Sequence, residues 1–149
     1  MARWIKLPAT ERCGGKYPHK VVIAGRYETD VLPEGHKLKI IDIPVGYRTD
    51  FASVFRLPFM YWLFGGKAHN AAIVHDILHD CHSNKTLSPE DAEKYGTVTH
   101  KQCNQIFMEI MEIEEDPETP LERNIMYWAV KIGGKIAWQT DSTKKCTWR

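Results

Sequence analysis

Residues 68–81 read Ala68-His69-Asn70-Ala71-Ala72-Ile73-Val74-His75-Asp76-Ile77-Leu78-His79-Asp80-Cys81, and the fold turns on what this stretch becomes. Ala71, Val74, Ile77, Leu78 and Cys81 recur at the three- and four-residue spacing that gathers side chains on one face of a helix. Upstream the chain has the signature of strands and turns, and downstream that of further helices. The expected class is therefore α+β: a small, mostly antiparallel N-terminal sheet followed by a bundle of about three helices. One domain is expected over 1–149, with the sheet in about 1–55, the helical part in about 67–138 and a C-terminal tail in about 139–149.

Working back from the helix, Pro58 to Phe64 is densely aromatic and ends at Gly65-Gly66, as a loop that packs on the core. Trp4 to Pro8, Lys20 to Ala24 and Lys37 to Ile43 alternate apolar and polar residues at the two-residue period of half-buried strands, and Arg48 to Phe51 is a shorter extended stretch. Leu32-Pro33-Glu34-Gly35 and Pro44-Val45-Gly46-Tyr47 separate them as turns. Working forward, Ser88-Pro89-Glu90-Asp91 is a capping residue followed by proline, the start of a short helix. A longer helix is expected from Thr99 to Glu114, with Cys103, Ile106, Phe107, Ile110 and Met111 on its apolar face. Another begins near Thr119-Pro120-Leu121-Glu122 and is weakened at Gly133-Gly134.

Composition narrows the function classes. The 149 residues carry 20 basic and 19 acidic side chains, interleaved to a net charge of +1, so no electropositive stripe for nucleic acid is expected. No apolar run approaches the roughly 20 residues of a membrane span. Four cysteines (Cys13, Cys81, Cys103, Cys146) form no C-x-x-C pair, and reduced thiols are expected unless the protein leaves the cytosol.

Five of the seven histidines (His69, His75, His79, His82, His100) fall within one short region. His75 and His79 stand four apart, a helical spacing that either chelates a divalent cation such as zinc or leaves two partly solvated rings. The zinc-hydrolase glutamate is missing, because Asp76 follows His75. Neighbours on a helix point about 100° apart, so the His75 imidazole can face a cleft as general base while the Asp76 carboxylate meets a cation. The plainer alternative is a histidine hydrogen-bonded to the adjacent helix. Asn104 borders the apolar face of that helix, and either orients His75 or is a surface amide. Asp50, in Thr49-Asp50-Phe51-Ala52-Ser53, is a hard-cation ligand or a cap for the loop that follows.

In Pro44-Val45-Gly46-Tyr47-Arg48-Thr49-Asp50-Phe51-Ala52-Ser53-Val54, Ala71 to Leu78, Asn104 to Met111 and Met126 to Val130, taken in order, the chain resembles the phage-associated family catalogued as domain of unknown function 1353. The resemblance implies a phage origin, often near tail genes, and brings no established activity. Asn104 stands where the family pattern usually has aspartate, and His79 where it usually has an aromatic residue. The helix pair is also similar to that of phospholipases of the A2 class. That likeness implies His75 activating water, Asp76 binding calcium, His79 in place of a tyrosine and Asn104 in place of the supporting aspartate.

Three functions follow as expectations. The first is a tail or baseplate protein of the virion, synthesised in the host cytoplasm. It would contact other tail proteins through a His-Asp, hydrolase-like scaffold that does not turn over substrate. The second is an active hydrolase of host envelope lipid or peptidoglycan, with a divalent cation, calcium or zinc, held by Asp76, Asp50 and His79 and with His75 and Asn104 in the catalytic positions. The third is an intracellular effector that blocks a host defence.

Overall fold

A computed structural model of the protein describes residues 1–15, 19–49, 67–84 and 87–140, with side chains at 134 and 136–140 outside the description. Among these residues are six strands followed by four helices. The strands are β1 (Arg3–Lys6), β2 (Ala9–Arg12), β3 (His19–Ile23), β4 (Gly25–Glu28), β5 (Ile40–Ile43) and β6 (Arg48–Thr49). The helices are α1 (His69–Cys81), α2 (Pro89–Tyr95), α3 (His100–Glu114) and α4 (Pro120–Thr140).

The strands form two small antiparallel sheets rather than one, ordered β1-β4-β5 and β2-β3-β6. Two of the strands escape the sequence pattern. Ala9-Thr10-Glu11-Arg12 and Gly25-Arg26-Tyr27-Glu28 contain too few large apolar residues for alternation to register. The first sheet nevertheless alternates in space: Tyr27, Ile41 and Ile43 point into the core, while Arg26 and Asp42, paired across the strands, meet outside at 2.6 Å. Gly25 is fixed by crowding, since a Cβ there would lie 2.9 Å from Pro8 and 3.0 Å from Ile43.

Three of the four helices begin at a side chain that accepts from one of the free N–H groups of the first turn. Ser88 accepts from the Asp91 amide at 3.1 Å ahead of Pro89. Thr99 and Gln102 form a reciprocal capping box on α3, and Thr119 accepts from the Glu122 amide at 3.3 Å on α4. α1 has no side-chain cap. Its first flanking residue, Ala68, is left-handed (φ 57°) and donates its amide to Asp116 at 2.8 Å. α4 continues through Gly133-Gly134 to Thr140, further than the expected interruption.

α1 packs on α3 and β5. Its bonds to α3 show that the two helices run antiparallel, because Asn70 reaches Glu114 at 2.8 Å while His75, further along α1, reaches Asn104 at the other end of α3. α3 is in turn tied to the first sheet by Glu109. Its carboxylate accepts from the Tyr27 hydroxyl at 2.9 Å, the Thr29 hydroxyl at 2.6 Å and the Asp30 amide at 2.9 Å. Burial, with Glu109 adding to it, pushes the Tyr27 phenol well above its usual range, so it stays protonated and keeps donating. One apolar cluster from Val21 to Val130 fills the space between the sheets and helices. Among the described residues no helix is long and apolar enough to cross a membrane. Cys81, at the end of α1, is disulfide-bonded, against the expectation of reduced thiols, while Cys103 is a buried free thiol.

Candidate functional site

α1 is buried on nearly every side: besides its apolar residues, His75, Asp76 and His79 are 0 %, 1 % and 7 % exposed. The sequence pattern, with one apolar face, suggested a more solvated helix. The difference arises because polar residues of α1 meet polar partners on two neighbouring elements instead of water.

On one side the partner is α3. The His75 Nε2 atom lies 3.0 Å from Asn104 Oδ1. An amide oxygen can only accept, so Nε2 carries the hydrogen and Nδ1 carries the lone pair. The Asn104 amide nitrogen lies 3.2 Å from His100 Nε2, which therefore accepts. Asn104 thus links two histidines and fixes the tautomer of each. The contact is reinforced by Cys103, whose thiol lies 3.6 Å from the His75 carbonyl oxygen, and by the edge of Phe107 against the His75 ring at 5.5 Å.

Burial pushes the His75 pKa down to about 4, with smaller downward contributions from His79 and His100 and an opposing one from the Asn104 hydrogen bond. The ring is neutral at neutral pH. His100, half-buried, is lowered chiefly by burial as well. Nδ1 of His75 is buried and meets no hydrogen-bond partner among the described residues.

On the other side the partner is the segment from Tyr47 through β6. Thr49 donates its hydroxyl to the Asp76 carboxylate, and the Tyr47 hydroxyl donates to Asp80 at 2.9 Å. The match is geometric. Residues two apart on an extended chain are roughly 7 Å apart on one face, and residues four apart on a helix are about 6 Å apart. Tyr47 and Thr49 therefore align with Asp80 and Asp76, strand running against helix. Backbone bonds fix the strand side, with the Val21 amide donating to the Tyr47 carbonyl at 2.9 Å. Asp80 is also 3.5 Å from His79 Nδ1.

The residues singled out in the sequence divide accordingly. His75 and Asn104 are brought together, and so are Asp76 and Thr49. His79 stacks on His75 with ring centroids 6.3 Å apart and planes 21° from parallel. Asp50, Phe51, Ala52 and Ser53 lie outside the described residues, as does the aromatic loop from Pro58 to Phe64. Sequence reasoning missed Asp80, Tyr47 as its partner, and Glu109. The first two had a legible signal, the two-residue spacing of hydroxyls on a strand facing the four-residue spacing of carboxylates on a helix. Among the described residues no three or more His, Cys, Asp or Glu side chains gather as a metal site. Chemically, the arrangement offers a neutral imidazole of fixed tautomer, with a buried lone pair, beside a hydrogen-bonded carboxylate.

No curated protein and no solved structure matches the chain. The family described as "Protein of unknown function (DUF1353)" matches residues 26–130, from β4 to about the middle of α4, and so takes in Tyr47, Thr49, His75, Asp76, His79, Asp80, His100 and Asn104. The match covers well over half of the sequence, and the chain belongs to the DUF1353 family.

Proposed function

We propose that the protein is a phage-encoded, virion-associated component of the tail or baseplate, built on a His-Asp scaffold that resembles a hydrolase but does not turn over substrate. One observation carries the non-catalytic reading. His75, Asp76 and Asn104 are 0 %, 1 % and 2 % exposed, and each is engaged in joining α1 to a neighbour. A general base must come within hydrogen-bond reach of the proton it removes. The placement in the particle rests on the family resemblance. Electron microscopy of particles of the encoding phage tests it: the protein is expected at fixed, symmetric copy number in the tail, and its absence or sub-stoichiometric presence contradicts the proposal.

A second reading, a metal-assisted hydrolase of host envelope lipid or peptidoglycan, is favoured by the His75 Nδ1 lone pair. The ring is anchored through Nε2 to the neighbouring helix, and Nδ1 is the atom left to take a proton from water. Asp76, with Asp50, would then hold calcium or zinc. Release of fatty acid from phospholipid vesicles or of fragments from peptidoglycan, dependent on added calcium or zinc and lost in His75→Gln, would establish this reading in place of the first.

A further inference from the structure

Among the described residues α4 has two apolar faces, one buried and one exposed. Met126 and Val130 are fully buried against the body of the protein. Roughly 150° around the helix, at 100° per residue, Leu121, Ile125, Trp128 and Ile132 are 70 %, 40 %, 55 % and 65 % exposed. Their spacing of four, three and four is the alternation of a coiled-coil seam. Single exposed apolar residues are ordinary, but four in register over three turns make a patch of the kind that marks an interface.

The ends of the stripe indicate what covers it. In sequence the same three-residue step reaches exposed Glu118, in the bend two residues ahead of the helix, and at the other end exposed Lys135 within it. The whole row is Glu118, Leu121, Ile125, Trp128, Ile132, Lys135. It is self-complementary under reversal about the point between Met126 and Tyr127. Laid antiparallel on itself, it places Ile125 against Trp128, Leu121 against Ile132, and acidic Glu118 against basic Lys135. A two-fold dimer requires that relationship, in which residue i meets residue j and j meets i. Parallel pairing would instead set Glu118 against Glu118 and Lys135 against Lys135. Lys131, held over the Trp128 ring at 4.5 Å, flanks the seam.

We infer that the outer face of α4 is a homodimer interface, on which α4 of a second copy of this chain packs antiparallel, with apolar layers at Ile125–Trp128 and Leu121–Ile132 closed at both ends by Glu118–Lys135 ion pairs. The interface shares no residue with the His75–Asn104 and Thr49–Asp76 bonds, although Lys135 at its end stands close enough to His100 to help lower the pKa of that ring; the inference does not depend on the function assigned to those bonds.

Sedimentation of the full chain across a dilution series tests the inference, with far-UV circular dichroism confirming that each variant is folded. The wild type is expected to dimerise reversibly. Trp128→Glu, on an exposed position, is expected to be folded and monomeric. Glu118→Lys alone and Lys135→Glu alone each replace two attractive pairs by two repulsive ones, and are expected to weaken the dimer by about tenfold. The double variant is expected to return to near wild-type affinity, which a surface for another protein or for lipid would not produce. A wild type that is monomeric up to its solubility limit, a dimer indifferent to Trp128→Glu, or a double variant no tighter than the singles overturns the inference.

Discussion

Thr49 and Asp76, separated by 27 residues, are joined in the core by a hydroxyl–carboxylate hydrogen bond, with Tyr47 and Asp80 forming its counterpart one helical turn away. The pair of bonds holds α1 against Tyr47 and β6. Thr49→Val keeps the shape and removes the donor, leaving a buried carboxylate with one bond fewer. The expected loss is about 2–3 kcal/mol in urea denaturation, with Thr49→Ser losing much less. Tyr47→Phe, at the partly buried end, is expected to lose about 1 kcal/mol.

Glu109 ties α3 to the first sheet through three donors. Glu109→Gln can still accept from the Asp30 amide only by turning its NH2 toward Tyr27 and Thr29, whose hydroxyls must then reverse from donating to accepting, and the charge-assisted character of all three bonds is lost. Thermal unfolding is expected to show a loss of about 1–3 kcal/mol. Glu112→Gln, on the exposed side of the same helix, is expected to change stability by less than about 0.5 kcal/mol.

The buried His75 ring links stability to pH. Its pKa in the folded protein, about 4, lies below the 6.5 of an unfolded chain, so between these values the unfolded state binds more protons. Stability contributed by the neutral ring is complete above pH 6.5 and is lost as pH falls toward 4. A shift of this size corresponds to about 3 kcal/mol. Equilibrium unfolding at pH 7 and pH 4.5 is expected to show this loss in the wild type, and a smaller pH dependence in His75→Gln.

Asn104→Asp places a carboxylate beside His75, where the family pattern usually has one. A negative partner favours the imidazolium, so the His75 pKa is expected to rise by more than one unit. The same change removes the amide donor to His100. In the non-catalytic scaffold this variant gains no hydrolysis of vesicles or peptidoglycan; the appearance of turnover would favour the enzyme reading.

The order of strands and helices was legible because the strong periodicities are in the sequence: Ala71 to Cys81 and Cys103 to Met111 carry helical spacing, and Ile40 to Ile43 carries the strand period. The division into two sheets was not, since β2 and β4 owe their place to pairing rather than to their own residues, with Gly25 admitting the close approach of Pro8. At the site, the meeting of His75 with Asn104 followed from antiparallel helices. The burial of Asp76 and His79 did not follow, because a helical wheel shows one face at a time, whereas α1 is enclosed by α3, β5 and the strand of Tyr47 and Thr49. Asp80 was not singled out, though its spacing from Asp76 matched that of the two hydroxyls opposite.

The state of the His75 ring is the most direct test of the claim that the His-Asp pair is a buried tie rather than a reaction centre. Long-range proton–nitrogen correlation spectra of imidazole-labelled protein report which nitrogen holds the hydrogen, at what pH the ring charges and whether a metal binds. The expected result is a neutral ring with its hydrogen on Nε2 from pH 8 down to about 5, unchanged by calcium or zinc. A ring that titrates near 6.5, or whose Nδ1 signal moves when either metal is added, contradicts it.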